Sequence, residues 1–298
     1  MNTKFSKFGA IFAFLVFTGV IRCHASFAQE VVAVLSSNAT PYQEALAGFK
    51  ESFGRPVEVL SLSNGDIHLT QSERIIVTFG GKAALYPYPA GTTLIYCLAP
   101  GLLVRPDQHD GPRSKIRVDA MPDALISNLK DIQPGLKRLA MFWISPFFNE
   151  TFKDLQRVSQ TFGIEIRGVH LESIDELPDS LRAISGHTDA LFLTPDPSLI
   201  TPSVFAVVKE FGHSNNLPLY VPIDSLVDKG ASASVAPSFK EMGRRAGKLA
   251  AAAMVGNAGN PEIVYPEKSL LTLNLTAAAQ SGLQIPPDVV KKANRVVP

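Results

Sequence analysis

The chain has 298 residues, 46% of them hydrophobic, and a formal net charge of +1. That length suggests about two domains and can bury a sizeable core. The neutral balance, with no Lys/Arg run longer than two residues, argues against a nucleic-acid partner.

The first elements belong to a leader. Lys4 and Lys7 precede an uncharged apolar run over 8–21, and Ser26-Phe27-Ala28 offers small residues at the positions a signal peptidase checks. A signal peptide over 1–28, cut near Ala28, is expected. A membrane anchor is the alternative, but the run is shorter than the ~20 residues a spanning helix needs. The mature protein is therefore expected to be exported, to the periplasm. Cys23 leaves with the leader, so Cys97 stands alone and reads as a buried small hydrophobe.

Residues 31–37 (VVAVLSS) read as a buried parallel strand, because the apolar run is continuous rather than alternating. Thr40 before Pro41 signals a helix start. A helix over 42–53 then places Ala45, Leu46, Phe49 and Phe53 on one stripe, and Gly54 stops it. Strands follow over 56–60, 75–79 and 92–98, with Gly80-Gly81-Lys82 turning the middle one into a short helix. The polar stretch 106–117 reads as a surface loop near a lobe boundary. The alternation then restarts with a helix over 121–132, a strand over 138–144, a helix over 150–162, a strand over 165–170 and a short helix around 181–184.

The stretch 188–254 is the one around which the rest of the chain is organised. Apolar strands over 190–193 and 217–221 each run into a proline and then an acid, Pro195-Asp196 and Pro222-Ile223-Asp224, with a helix over 202–213 between them. This is a β-α-β unit of a parallel sheet. Ligands of such sheets bind beyond the carboxyl ends of the strands, where both acids fall. A strand over 232–235 precedes a helix over 240–254, whose Gly243 and Gly247 permit close packing on a sheet. A strand over 271–275 and helices over 276–281 and 288–293 complete the chain. The alternation runs twice, so the fold class expected is α/β: two doubly wound parallel-sheet lobes.

No catalytic constellation emerges. The six histidines show no His-x-x-x-His or His-Glu-x-x-His spacing, and there is neither a Gly-x-Ser-x-Gly elbow nor a Walker loop. A single mature cysteine leaves no Cys-x-x-Cys metal site. Gly80-Gly81-Lys82 suits a phosphate cradle or, more simply, a tight strand-to-helix turn. Asp196 and Asp224 suit ligand contact, helix capping or acid/base work. The expectation is a protein that is not an enzyme and carries no cofactor or metal.

Several ordered patterns resemble the ABC transporter substrate-binding protein family of the aromatic and branched-chain amino-acid type. They are Asp189-Ala190-Leu191-Phe192-Leu193-Thr194-Pro195-Asp196; Leu217-Pro218-Leu219-Tyr220 with Asp224-Ser225-Leu226-Val227; Gly230-Ala231 with Ser234-Val235; Phe239 with Glu241-Met242-Gly243-Arg244; and Asn274-Leu275-Thr276-Ala277-Ala278-Ala279 with Gly282-Leu283-Gln284-Ile285-Pro286-Pro287. The first lobe departs from the family. Gly80-Gly81-Lys82-Ala83 stands for its Gly-Thr-x-Ala turn, and the 105–117 stretch replaces its Gly-Asn-x-Thr-Gly segment; in the second lobe, Trp143-Ile144-Ser145-Pro146-Phe147-Phe148 replaces a Tyr-Asn-Pro loop.

The resemblance implies a type I periplasmic-binding fold with a hinge. Lobe 1 would span 29–118, with 237–264 returning to it, and lobe 2 would span 119–236 with part of 265–298. It implies an exported solute-binding protein that captures a small amino-acid-like ligand between its lobes for an ABC permease, and acts as a monomer. The alternative is a periplasmic sensing accessory that signals to a membrane receptor without transport. Ligand-binding candidates are Ser36, Ser37, Asn38, Gly81 and Cys97 in the first lobe, and Phe147, Phe148, Asp196 and Asp224 in the second. Phe239 joins them, and with the Phe147–Phe148 pair it could wall an apolar side chain. First-lobe hydroxyls and amides would hold a carboxylate, and an Asp an ammonium.

Overall fold

The computed structural model describes residues 31–65, 67–69, 75–102, 110–257 and 262–298; the expected leader and its cleavage point at Ala28 lie outside these. Six strands, β1 (Val31–Leu35), β2 (Glu58–Ser61), β3 (Ile75–Phe79), β4 (Thr93–Cys97), β5 (Arg113–Ile116) and β11 (Glu262–Val264), form one parallel sheet in the order β11-β5-β4-β3-β1-β2. The second sheet runs β13-β12-β10-β9-β8-β6-β7, built from β6 (Arg138–Trp143), β7 (Glu165–His170), β8 (Ala190–Leu193), β9 (Leu219–Val221), β10 (Ala233–Ala236), β12 (Leu270–Asn274) and β13 (Arg295–Val297). Its strands are parallel except for the antiparallel pair β10–β12. This is the two-sheet α/β architecture the alternation predicts.

Both faces of each sheet are covered. In β1, Val31, Ala33 and Leu35 enter one core while Val32 and Val34 enter the core on the opposite face. Side chains alternate across a strand, so a strand buried on both faces must be apolar throughout. The helices are α1 (Thr40–Phe53), α2 (Gly81–Ala84), α3 (Pro122–Ile132), α4 (Phe148–Thr161), α5 (Leu177–Ile184), α6 (Pro202–Ser214), α7 (Phe239–Met254), α8 (Leu275–Gln280) and α9 (Pro287–Lys292). Helix α1 begins slightly earlier than expected: Ala39 is the extended N-cap residue and Thr40 is already helical.

Two expectations need correction. The 106–117 stretch is not simply a surface loop. Residues 103–109 lie outside the described residues, but Arg113–Ile116 form β5, paired on both sides by β4 and β11. Arg113, Lys115 and Arg117 are buried. Their charge masks the strand from a hydropathy reading; Lys115 meets the Leu102 carbonyl and the Phe147 ring, and Arg117 meets Asp119 and Thr151. Helix α7, in turn, presents its glycines to a helix rather than to a sheet. A Cβ on Gly243 would run into the Ala45 carbonyl, and one on Gly247 into Ser52 and the Phe49 carbonyl, all on α1. Gly48 of α1 is held equally close to the Lys240 carbonyl of α7. The Ser52 hydroxyl donates across the seam to the Arg244 carbonyl at 2.9 Å. Thus α7, which follows the second sheet's β10, packs with α1 on the first.

Candidate functional site

The carboxyl ends of β1, β4, β8 and β9 lead into loops that face one another. A cavity of about 610 Å³ lies between them, within the roughly 300–1,000 Å³ usual for small-molecule sites. Ala39, Pro41, Tyr42 and Glu44 of the α1 start line it, with Leu98 and Pro100 beyond β4. From the other sheet come Pro195, Pro197 and Ile200 after β8, and Pro222, Ile223, Asp224 and Ser225 after β9. Ser238, Phe239 and Met242, at the start of α7, close the floor. A depression of about 940 Å³ near Lys137, Arg138 and Glu165 opens instead at the amino ends of β6 and β7, the edge that parallel sheets do not use for ligands.

Of the expected contact residues, the structure brings Asp224 and Phe239 to this cavity. Asp224 is exposed, and its carboxylate lies 3.9 Å from the Arg295 guanidinium, which pairs more closely with Asp228 at 2.7 Å. The remaining eight are placed elsewhere. Asp196 is fully buried. Its Oδ2 accepts from the Ile144 and Ser145 backbone N–H groups at 2.8 and 2.6 Å, and its Oδ1 from the Ser145 hydroxyl at 2.8 Å and the Ser198 N–H at 3.0 Å. Each oxygen takes two donors, so the carboxylate ties the loop after β6 to the loop after β8.

The Ser36 hydroxyl accepts from the Ala83 N–H at 2.9 Å and so fixes the turn into α2. That turn needs Gly80, whose φ is +100° and whose missing Cβ leaves room for the Tyr42 ring. The Ser37 hydroxyl accepts from the Ala39 N–H, the Asn38 amide donates to Asn64 at 3.4 Å, and Gly81 is exposed at the α2 start. Cys97 is fully buried, and burial pushes its thiol up.

Phe147 and Phe148 are buried edge to face, with centroids 5.2 Å apart. The Phe147 ring forms a contact between the sheets that the sequence does not suggest. Lys115 Nζ of β5 sits 3.4 Å from its centroid, and the Arg117 guanidinium sits 5.1 Å from it. Lys115 also donates to the Leu102 carbonyl at 2.5 Å. Burial, aided by the Arg117 charge and opposed by Asp119, lowers the Lys115 ammonium to about 7. Arg117 forms a two-pronged buried pair with Asp119, at 2.8 and 2.5 Å, and donates to the Thr151 hydroxyl of α4. Burial disfavours the Arg117 charge, but the bond and charge of Asp119 outweigh it and hold the guanidinium above its usual value. Nearby, burial pushes the Tyr265 phenol up to about 12. At Gly101 the lobes touch again: a Cβ there would lie 3.7 Å from Pro197 and 3.8 Å from Ser145.

Sequence reasoning missed Pro41, Tyr42, Glu44 and Pro100 as cavity wall, and Lys115 and Arg117 as bridging groups. The available signal was proline at successive strand ends. Among the described residues, no group of three or more His, Cys, Asp or Glu could hold a metal ion, and no helix is long and apolar enough to cross a membrane.

A family model described as ABC transporter substrate binding protein matches residues 119–297. No curated protein matches the chain. Among solved structures, the chain is similar to an ABC domain in complex with L-Trp from Streptococcus pneumonia, at 15% identity and a TM-score of 0.62, over 90% of this chain and 100% of that one. It is similar to a conserved domain protein from Vibrio cholerae, at 15% identity and a TM-score of 0.63, over 89% and 98%. A third is a substrate-binding protein with adhesive properties from Clostridium difficile, in a ligand-free, open structure, at 13% identity and a TM-score of 0.63, over 90% and 99%. At such identities the likeness is one of fold.

Proposed function

Because the chain belongs to the ABC transporter substrate-binding protein family, we propose that it captures a small organic ligand in the cleft between its two sheets and delivers it to an ABC permease after export. The observation that carries this reading is the cavity of about 610 Å³ between the strand ends of both sheets. A ligand there touches both halves, so binding energy is available to hold them closed. Asp224 and Phe239 contact the ligand directly. Asp196 acts through the two loops it ties together, and Ser36 through the turn it fixes. The segments 117–121, 237–238 and 265–269, where the chain passes between the sheets, serve as the hinge. The leader over 1–28 directs export, and the protein works as a monomer without catalysis. The complex of the Streptococcus protein with L-Trp supports a ligand of amino-acid size.

A thermal-shift screen of the protein from Gln29 onward, against amino acids, amines, nucleosides, peptides and organic acids, tests this. A true ligand at a hundredfold excess over its Kd adds about 2.7 kcal/mol to stability. Ala39→Trp, which fills the cavity from its rim, should abolish the shift. A cooperative transition that no compound moves would remove the solute-binding role.

A further inference from the structure

Resting on the reading above, we propose that the ligand is an apolar amine: a monocation with a hydrophobic body and no carboxylate. Four features of the cleft carry this. First, its wall holds six prolines, Pro41, Pro100, Pro195, Pro197, Pro222 and Pro237. Proline has no backbone N–H, so the loops at the strand ends lack at these places the donors that would grip an anion. Second, no Lys, Arg, His, Asn or Gln stands among the lining residues. The side-chain donors there are three hydroxyls, those of Tyr42, Ser225 and Ser238.

Third, the wall carries two carboxylates, one from each half of the molecule: Glu44 on α1 beside the first sheet, and Asp224 after β9 of the second. Glu44 is exposed and has no ion-pair partner among the described residues. The Arg295 charge near Asp224 is shared with Asp228. Fourth, two aromatic rings, Tyr42 and Phe239, line the same space, and their faces attract a cation. Leu98, Ile200, Ile223 and Met242 supply apolar surface for the body.

An amino acid presents an ammonium and a carboxylate together. This cleft meets the first with two acids and offers the second no cationic or amide side chain, only the hydroxyls of Tyr42, Ser225 and Ser238. Desolvating an unpaired carboxylate is costly, so removing it from the ligand should improve binding.

The experiment compares matched sets by titration calorimetry on the protein from Gln29: tryptamine, L-tryptophan and indole-3-propionate, then phenethylamine, L-phenylalanine and 3-phenylpropionate. Each amine should bind at least about tenfold more tightly than its amino acid, and the acids should not bind. Glu44→Gln and Asp224→Asn, both at exposed positions, should each weaken amine binding by about tenfold, as expected for a charge-assisted contact, with unchanged melting temperature. If an amino acid binds as tightly as its amine, or both variants keep full amine affinity, the inference fails while the solute-binding role stands. It fails in the same way if none of the six binds but the broader screen yields a ligand without a basic nitrogen. If neither these six compounds nor the broader screen yields any ligand, both fail.

Discussion

Lys115 is the side chain whose surroundings most oppose its usual state. It has 1% of its surface exposed and lies beside the Arg117 guanidinium; the Asp119 carboxylate, the Leu102 carbonyl and the face of the Phe147 ring favour its charge, but burial outweighs them. On β4 its register partner is Tyr96, a phenol that burial pushes up and that therefore stays neutral. With the folded value near 7 and the unfolded value near 10.5, the unfolded chain binds more protons across that window. Stability must therefore rise with pH there, by up to about 1.4 kcal/mol per pH unit from this group alone. Cys97 and the buried tyrosines act the opposite way at alkaline pH, because the folded chain keeps their protons. Chemical denaturation of the wild type and Lys115→Met from pH 7 to 10 separates the contributions, since those groups are common to both. The wild-type stability should climb relative to the variant, and parallel curves would rule the account out. This residue also marks what the sequence hides. A lysine in a polar stretch reads as solvated, and its burial depends on Phe147, 32 positions away by residue number. Ser36 and Asp196 stand at strand ends as read, yet their oxygens are taken by backbone groups elsewhere, Ala83 of α2 in one case and Ile144 and Ser145 in the other. A linear reading finds the edge of the sheet but not which of its polar groups are already engaged.

At the scale of elements, the continuous apolar runs were legible because both sheets are buried on both faces. The strands at 75–79 and 190–193, buried throughout, fall where the sequence puts them, as does the largely exposed edge strand at 165–170. Strand β5 was not legible, since Arg-Ser-Lys-Ile has no apolar run, and the short edge strands β11 and β13 carry too little pattern to register. The small-residue character of α7 was visible, but its partner was not. The seam with α1 is set by close approach at Gly48, Gly243 and Gly247; backbone carbonyls oppose the first two and cannot yield, and the Ser52 hydroxyl with the Phe49 carbonyl opposes the third. Gly243→Ala should cost at least about 2 kcal/mol, the range for overpacking a rigid contact, measured as a lower denaturation midpoint in urea with an unchanged slope. Gly81→Ala, where an added Cβ meets nothing within 4 Å, is the control and should stay near wild type. Equal losses at the two sites would mean that the seam is not what the glycines serve.

For the whole molecule, one flank between the sheets is closed and another is open. Lys115 and Arg117 against Phe147, Arg117 to Thr151, and Gly101 against Pro197 join the halves, while the proline-walled cavity lies between the remaining strand ends. The closed flank should act as the clasp for whatever occupies the cavity. Phe147→Ala removes the ring under both cations, a contact worth about 1–2 kcal/mol when desolvated. Ligand release measured by stopped flow should quicken by about tenfold; a release rate equal to wild type would place the clasp elsewhere. The seam of α1 and α7 has one more consequence, for how the protein comes to exist. Strand β1 opens the first sheet, yet that sheet receives β11 only at Glu262–Val264, and α1 waits for a helix that begins at Phe239. Contacts so distant along the chain form slowly. The amino-terminal half cannot reach its native shape while the rest is still being synthesised. For the same reason, a chimera that exchanges the first half between two relatives must carry residues 237–264 with it, or leave α1 facing water.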